Sequence, residues 1–373
     1  DYSNPIIESS QKILGKNISK VAFANGPGTP QSFPAILAAS SFLLLNPNFT
    51  VPKYMVTLPE VLSRNNFITV GIHSNPYLSR AFGWNKGFKI FYDYFDEVSS
   101  PTFSVAKSKI LRKMLLILMK NRYINKKILS KLRKFYQNLI ALRASKPPYV
   151  DAKEITDTAL NILNAFRNDN LFLWVHYMDT HWPYNVPYDE LVEKCNFSTS
   201  KQALKFLYKI PISFAPTEDE EKTLYIEKQV LEKTICLYKM SIVYVSKYVE
   251  QLLVSLKDLD LLNESLIIIT GDHGEAFLEH GAIGHPFYTL YNENLRVPLI
   301  IWYPYLQSLN NKNNIPKQLR EIPIFILNAL NVKIPKTWVK TTLSFRHLIF
   351  AESAYVHPVD CLLYTSDAAD DGE

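Results

Sequence analysis

Thr270-Gly-Asp-His-Gly-Glu275 sets a carboxylate beside an imidazole between two glycines, directly after the apolar run Ser265–Thr270. Asp272 and His273 pair a hard oxygen ligand with a borderline nitrogen ligand, a combination that suits Zn, Mn, Mg or Ca. The flanking glycines permit the tight turn that aims both side chains at one ion. A second motif is Gly26-Pro-Gly-Thr-Pro-Gln-Ser-Phe-Pro-Ala-Ile-Leu37, a Gly/Pro-rich turn that runs into an apolar helix. It sets Thr29 near a helix N-terminus, where unpaired N–H groups and the helix dipole favour an anion. A hydroxyl there can attack phosphorus or sulfur once a metal or base lowers its pKa. Thr29 also reads as an ordinary N-cap.

Histidines cluster in two further segments. His280-Gly-Ala-Ile-Gly-His-Pro286 offers His280 and His285, and His285 is favoured because of its tight Gly-His-Pro turn. An imidazole there can protonate a leaving group or stabilise charge on a transferred oxyanion. Leu171-Phe-Leu-Trp-Val-His-Tyr-Met-Asp-Thr-His-Trp-Pro-Tyr184 carries His176, Asp179 and His181. His176 lies inside the apolar run and reads as a core histidine, whereas His181 falls beyond it and is the functional candidate. Asp179 is placed to orient a histidine from behind. Gly71-Ile-His-Ser-Asn-Pro-Tyr-Leu-Ser-Arg80 adds His73, Asn75 and Arg80, each either a substrate contact or loop scaffolding.

The elements that must position these residues are short apolar runs: Phe67–Ile72, Leu171–Tyr177, Ser265–Thr270 and Val297–Tyr303. Near-continuous apolar strands belong to sheets covered on both faces. The 270–275, 171–184 and 71–80 motifs each lie at the end of such a run, and ligands in open α/β sheets sit beyond the carboxyl ends of strands. A capping-box pattern at Thr217–Glu220 opens a helical periodicity that extends to about Leu262. Strands alternating with helices indicate an α/β sandwich on a mainly parallel sheet. Nine of the 11 glycines fall at 26–28, 71–87 and 271–284, the windows that hold the chemistry.

The net charge of +6 is local. Residues 99–150 hold 13 Lys or Arg and no Asp or Glu, so the remainder carries 6 − 13 = −7. That balance gives no reason to expect a nucleic-acid partner. The basic stretch reads as a helical pair at 103–146, either an inserted hairpin over the core or a docking face for an anionic surface. No apolar run reaches the ~18–20 residues that span a bilayer. Cys195, Cys236 and Cys361 show no metal spacing and suggest no disulfide framework. The compartment stays open, with the cytoplasm favoured. The final 13 residues, Cys361–Glu373, break the character of the chain. They resemble a translated sequencing adapter and are read as an artefact.

Taken in order, the segments "TPQSFPAIL", "HSNPYLSRAFGWNKGF", "WVHYMDTHWPY" and "DHGEAFLEHGAIGH" resemble the sulfatase family of the alkaline-phosphatase-like superfamily, nearest its archaeal-type branch. The resemblance spans about residues 20–355. It implies an alkaline-phosphatase-like α/β sandwich with a large mixed sheet and a smaller C-terminal part, cut short at both ends here. The catalytic domain would occupy 1–360, with the basic insertion at 99–150. Activity would be divalent-metal-dependent hydrolysis of sulfate or phosphate esters, on small molecules or glycans. Thr29 falls where sulfatases carry the Cys or Ser that becomes formylglycine. Threonine cannot form that group, so no formylglycine is expected, and an unmodified hydroxyl fits phosphoryl-transferring relatives. Two further readings remain: a phosphodiesterase or phosphotransferase with a Thr nucleophile, and a non-catalytic relative that binds an anionic polymer. Asp272, His273 and Thr29 match metal-ligand positions, and His181 and His285 match contacts to the ester oxygens. Phe33 replaces the family's Arg, and His73 and Asn75 replace its Lys/His pair. The remaining acidic ligands would come from a strand before Asp1.

Overall fold

The structure is a computed structural model that describes residues 4–15, 17–94, 146–210, 226–305, 315–338 and 351–353. The expected helical pair at 103–146 (except Lys146), the Thr217–Glu220 capping box and the tail from Cys361 lie outside these residues.

Two three-stranded sheets hold the chemistry. In the first, β2 (Ile68–His73) is central and runs parallel to β3 (Ile90–Asp93) and β4 (Leu171–Val175), with Val70 opposite both Ile90 and Leu173. In the second, β8 (Arg296–Trp302) is central and antiparallel to both β1 (Ile18–Phe23) and β5 (Ile267–Thr270). Between β5 and β8 lie a small hairpin, β6 (Ala276–Phe277) and β7 (Ile283–Gly284), and a one-turn helix at Asn292–Leu295. After them the chain returns beside β5 in the opposite sense, with Thr270 opposite Leu299. The expected apolar runs are all strands, and helices join them in an α/β order.

Helices cover both faces. On one side pack α1 (Pro5–Leu14), α4 (Ala152–Ala165) and the long α7 (Lys228–Asp258). Ile155, Ala159 and Ile162 of α4 meet Val70 and Ile72 of β2, while Tyr244, Val245, Tyr248 and Val249 of α7 meet Leu14 and Trp302. On the other side lie α2 (Thr29–Ala38), α3 (Leu58–Arg64) and α8 (Ile322–Ala329), with Phe33 and Leu37 of α2 against Trp84 and Phe91. Between α4 and α7 the chain forms α5 (Asp189–Glu193) and α6 (Ser200–Leu207) over a separate apolar cluster. No helix of the described residues is long and apolar enough to cross a membrane.

Cys195 and Cys236 form a disulfide across 41 residues, from the end of α5 to the first half of α7. This corrects the expectation of no disulfide. The two cysteines meet only because α7 folds back over α5, and their spacing carries no sign of that.

Candidate active site

The carboxyl ends of β2, β4 and β5 converge on the N-terminus of α2. Gly28 is the N-cap of that helix and Thr29 its first residue, with Pro30 next. No side chain caps the helix; instead the Thr29 hydroxyl donates to Asp272 Oδ2 at 3.0 Å. The ordinary N-cap reading of Thr29 therefore fails. Thr29 is buried, in a helix end wrapped by the site. Asn75, two residues beyond β2, donates from Nδ2 to Thr29 Oγ1 at 3.3 Å and lies 3.3 Å from Met178 Sδ. Its own Oδ1 accepts from the Tyr77 N–H at 3.0 Å, which fixes the amide's orientation.

Asp272 and His273 follow β5 directly. His273 Nε2 lies 3.6 Å from Asp272 Oδ2, and His273 Nδ1 bonds the Gly274 carbonyl at 2.8 Å. Burial alone would push the Asp272 carboxyl up. His273, His176 and the Thr29 hydrogen bond outweigh that and hold it below the usual carboxylate range. Burial pushes His273 down, so its imidazole is neutral. The turn is close-packed: a Cβ at Gly274 would sit 2.0 Å from the Glu293 carbonyl oxygen, and the Gly274 N–H donates to Asn294 O at 2.7 Å.

His285 and His181 stand beside His273, with ring centroids of His273–His285 at 4.3 Å and His181–His285 at 4.8 Å. Glu275 binds this group from behind. Its Oε2 pairs with His285 Nδ1 at 2.7 Å and its Oε1 accepts from the Tyr184 hydroxyl at 2.7 Å. Burial would raise the Glu275 carboxyl, but His285 and these hydrogen bonds hold it down. His181 Nδ1 lies 2.6 Å from the Trp182 carbonyl, so in the neutral ring Nδ1 carries the proton and Nε2 the lone pair. Burial, with His285 adding, pushes His181 to about 3.

Of the residues singled out from sequence, Thr29, Asn75, His181, Asp272, His273 and His285 are brought together. His73 and Arg80 are not part of that network. His73 is wholly buried against Phe91 and Trp174, with ring centroids 4.9 and 5.5 Å away, and burial pushes it to about 3. The Arg80 guanidinium donates to the Phe91 carbonyl and lies over the Phe91 ring. His280 is half exposed, stacked on Tyr291 and paired with Glu293 at 2.6 Å. His176, which the sequence reads as a core histidine, has Phe33 edge-on at 5.3 Å and lies near enough to Asp272 and His273 for their charges to act on it. Glu275 and Tyr184 went unassigned in the sequence, although both stand within its motifs. Two buried partners on one carboxylate are a signal that only the folded chain supplies.

The donors suit a divalent cation: Asp272 Oδ2, Thr29 Oγ1 and His273 Nε2 converge as one carboxylate, one hydroxyl and one imidazole. Single ligand atoms from His273, Glu275 and His285 also lie within 4.8 Å of one another. Both Glu275 oxygens are engaged by His285 and Tyr184, so Asp272 is the carboxylate better placed for an ion.

A family model described as Sulfatase matches residues 15–320. Arylsulfatase K of the dog is 22% identical over 179 residues, 43% of this chain and 33% of that protein, so the match spans about a third of the relative's length. The phosphonate monoester hydrolase of Agrobacterium radiobacter superposes with a TM-score of 0.55 at 14% identity, over 89% of this chain and 69% of that one. A protein solved with its substrate D-glucosamine-2-N,6-O-disulfate gives 0.52 at 15% identity, over 95% and 77%. The lipoteichoic acid synthase LtaP of Listeria monocytogenes gives 0.52 at 14% identity, over 88% and 66%. These likenesses show the same fold.

Proposed function

The chain belongs to the sulfatase family, and from that premise we propose that it hydrolyses phosphate esters, and sulfate esters more slowly, with Thr29 as nucleophile. The observation that carries this reading is the Thr29 hydroxyl, engaged at 3.0 Å by Asp272 rather than spent on capping its helix. Asp272, His273 and Thr29 would hold a divalent cation, which when bound polarises ester oxygens and lowers the pKa of a coordinated hydroxyl.

The chain's own groups complete the chemistry. Asp272 Oδ2 takes the hydroxyl proton in a hydrogen bond and so sets which lone pair of Oγ1 faces the ester. Asn75 Nδ2 donates to the same oxygen and lowers the cost of negative charge there. The α2 N-terminus adds the positive end of its dipole. His181 and His285 serve the transferred group and the leaving oxygen. His181 is neutral in the free protein, and an anionic ester supplies the counter-charge that favours a proton on its Nε2. An unmodified hydroxyl has no formylglycine hydrate to release sulfate, which is why phosphate esters come first.

The other acidic ligands are proposed to come from an extended segment seated along β4 and β5. β4 and β5 support this: each ends its sheet among the described residues, and both stay half-buried along their length although almost wholly apolar. Substrates are proposed to be small-molecule or glycan esters. The Cys195–Cys236 disulfide supports an oxidising compartment over the cytoplasm. The test is turnover of matched aryl phosphate, phosphonate and sulfate esters before chelation, after it, and after adding back Ca, Mg, Mn or Zn. Metal-restored turnover with phosphate esters fastest supports the reading; chelator-insensitive turnover, or none on any ester, overturns it.

A further inference from the structure

Asp179 is wholly buried on the loop between β4 and His181, yet it touches none of Thr29, Asp272, His273 or His285 through any hydrogen bond. Its bonds instead close that loop. The Asp179 carbonyl accepts from the Asn185 N–H at 2.8 Å, and its Oδ1 accepts from Asn185 Nδ2 at 2.7 Å. The same Oδ1 accepts from the N–H of Ala152, the first residue of α4, at 3.2 Å. Asn185 Nδ2 also reaches Asp151 Oδ2 at 2.8 Å, and Asp151 is both the N-cap of α4 and the acceptor for the Tyr244 hydroxyl of α7. One amide therefore ties both ends of a seven-residue loop to the N-terminus of α4. Within the loop stand His181 and Tyr184, whose hydroxyl holds Glu275, and Met178 just before it sets Sδ against Asn75. Tyr149 donates to the His181 carbonyl at 3.2 Å from the same side.

We propose that Asp179 is a positioning residue that fixes the His181 imidazole over the ester by clamping the 179–185 loop, through Asn185, onto the start of α4. The carboxyl is suited to this task in its neutral form. Burial, then the neighbouring Asp151, raises it to about 7, and Oδ2 has no hydrogen-bond partner among the described residues. An amide at this position keeps the Oδ1 acceptor and the neutrality, whereas a methyl group removes the clamp.

The inference rests on the reading of His181 as a group that serves the leaving oxygen, and the test separates the two. Asp179→Asn, Asp179→Ala, His181→Ala and the Asp179→Ala/His181→Ala double variant are compared with the parent on aryl phosphates with good and poor leaving groups. Parent turnover judges the functional reading. Asp179→Ala should lower kcat on the poor leaving group by about a hundredfold, with a smaller loss on the good one and little change in KM. Asp179→Asn should restore kcat to within about threefold of the parent, since it keeps the geometry. The double variant should be no slower than His181→Ala, because both changes remove one function. Histidine ¹⁵N spectra, with His181 assigned from its variant, give a readout that needs no turnover: the resonance should shift or broaden in Asp179→Ala and hold in Asp179→Asn. If Asp179→Ala does not fold, Asn185→Ala opens the same clamp from its other side. A folded clamp variant with an unmoved His181 signal overturns the proposal, as does a loss that is additive with His181→Ala.

Discussion

His73 supplies a direct measure of what burial does to a titratable ring in this fold. Its imidazole is caged by Phe91 and Trp174, and neither ring nitrogen has a well-formed hydrogen bond among the described residues. Burial, with His176 adding, lowers it from 6.5 to about 3. Between those values the unfolded chain binds the proton and the native one does not. The stability that His73 contributes is therefore present above the unfolded value and is lost as pH falls towards the folded one. The whole shift amounts to about 5 kcal/mol, and between about pH 7.5 and pH 5 the loss is about 2 kcal/mol. Asp179, raised to about 7, changes in the opposite sense across the acidic range. It does so equally in parent and variant and cancels in their difference. Urea unfolding of the parent and of His73→Leu at the two pH values isolates the effect. The parent should lose about 2 kcal/mol more than the variant. Equal losses would mean that His73 is protonated inside the native cage, and the argument from burial would fail.

Reduction of Cys195–Cys236 releases a 41-residue loop and should lower stability by up to about 4 kcal/mol, read as a drop in urea midpoint on adding reductant. Gly274→Ala drives a methyl group into the Glu293 carbonyl, so it should cost about 1–3 kcal/mol and depress turnover by displacing His273. Arg80→Ala removes a hydrogen bond to Phe91 and its ring contact. It should cost about 1 kcal/mol of stability and leave KM within about twofold, as measured by melting and steady-state kinetics.

Much of the sheet was legible because β2, β4, β5 and β8 are apolar enough to announce burial. β1 was not, since Ser19 and Lys20 interrupt it and only Ala22 is fully buried. Strand direction leaves no mark on an apolar run, so the antiparallel setting of β8 emerged only from its pairing with β1 and β5. The site was legible where a motif follows a strand end, because Asp272, His273 and Asn75 stand beyond the last ladder residue. His73 still belongs to the ladder, on the face of Thr69 and Gly71, and alternation carries it into the aromatic layer instead of the site. Asp179 was expected to orient a histidine directly. It acts on backbone and amide partners that lie six and 27 residues away, which no local spacing reveals.

The most direct measurement is turnover of Thr29→Ala on an aryl phosphate with the preferred metal, alongside its melting temperature. Loss of the nucleophile should lower kcat by several orders of magnitude while the melting point stays within a few degrees, because Gly28 caps α2 and the Thr29 side chain does not. A folded Thr29→Ala protein that turns over at the parent rate would contradict the assignment of Thr29 as nucleophile.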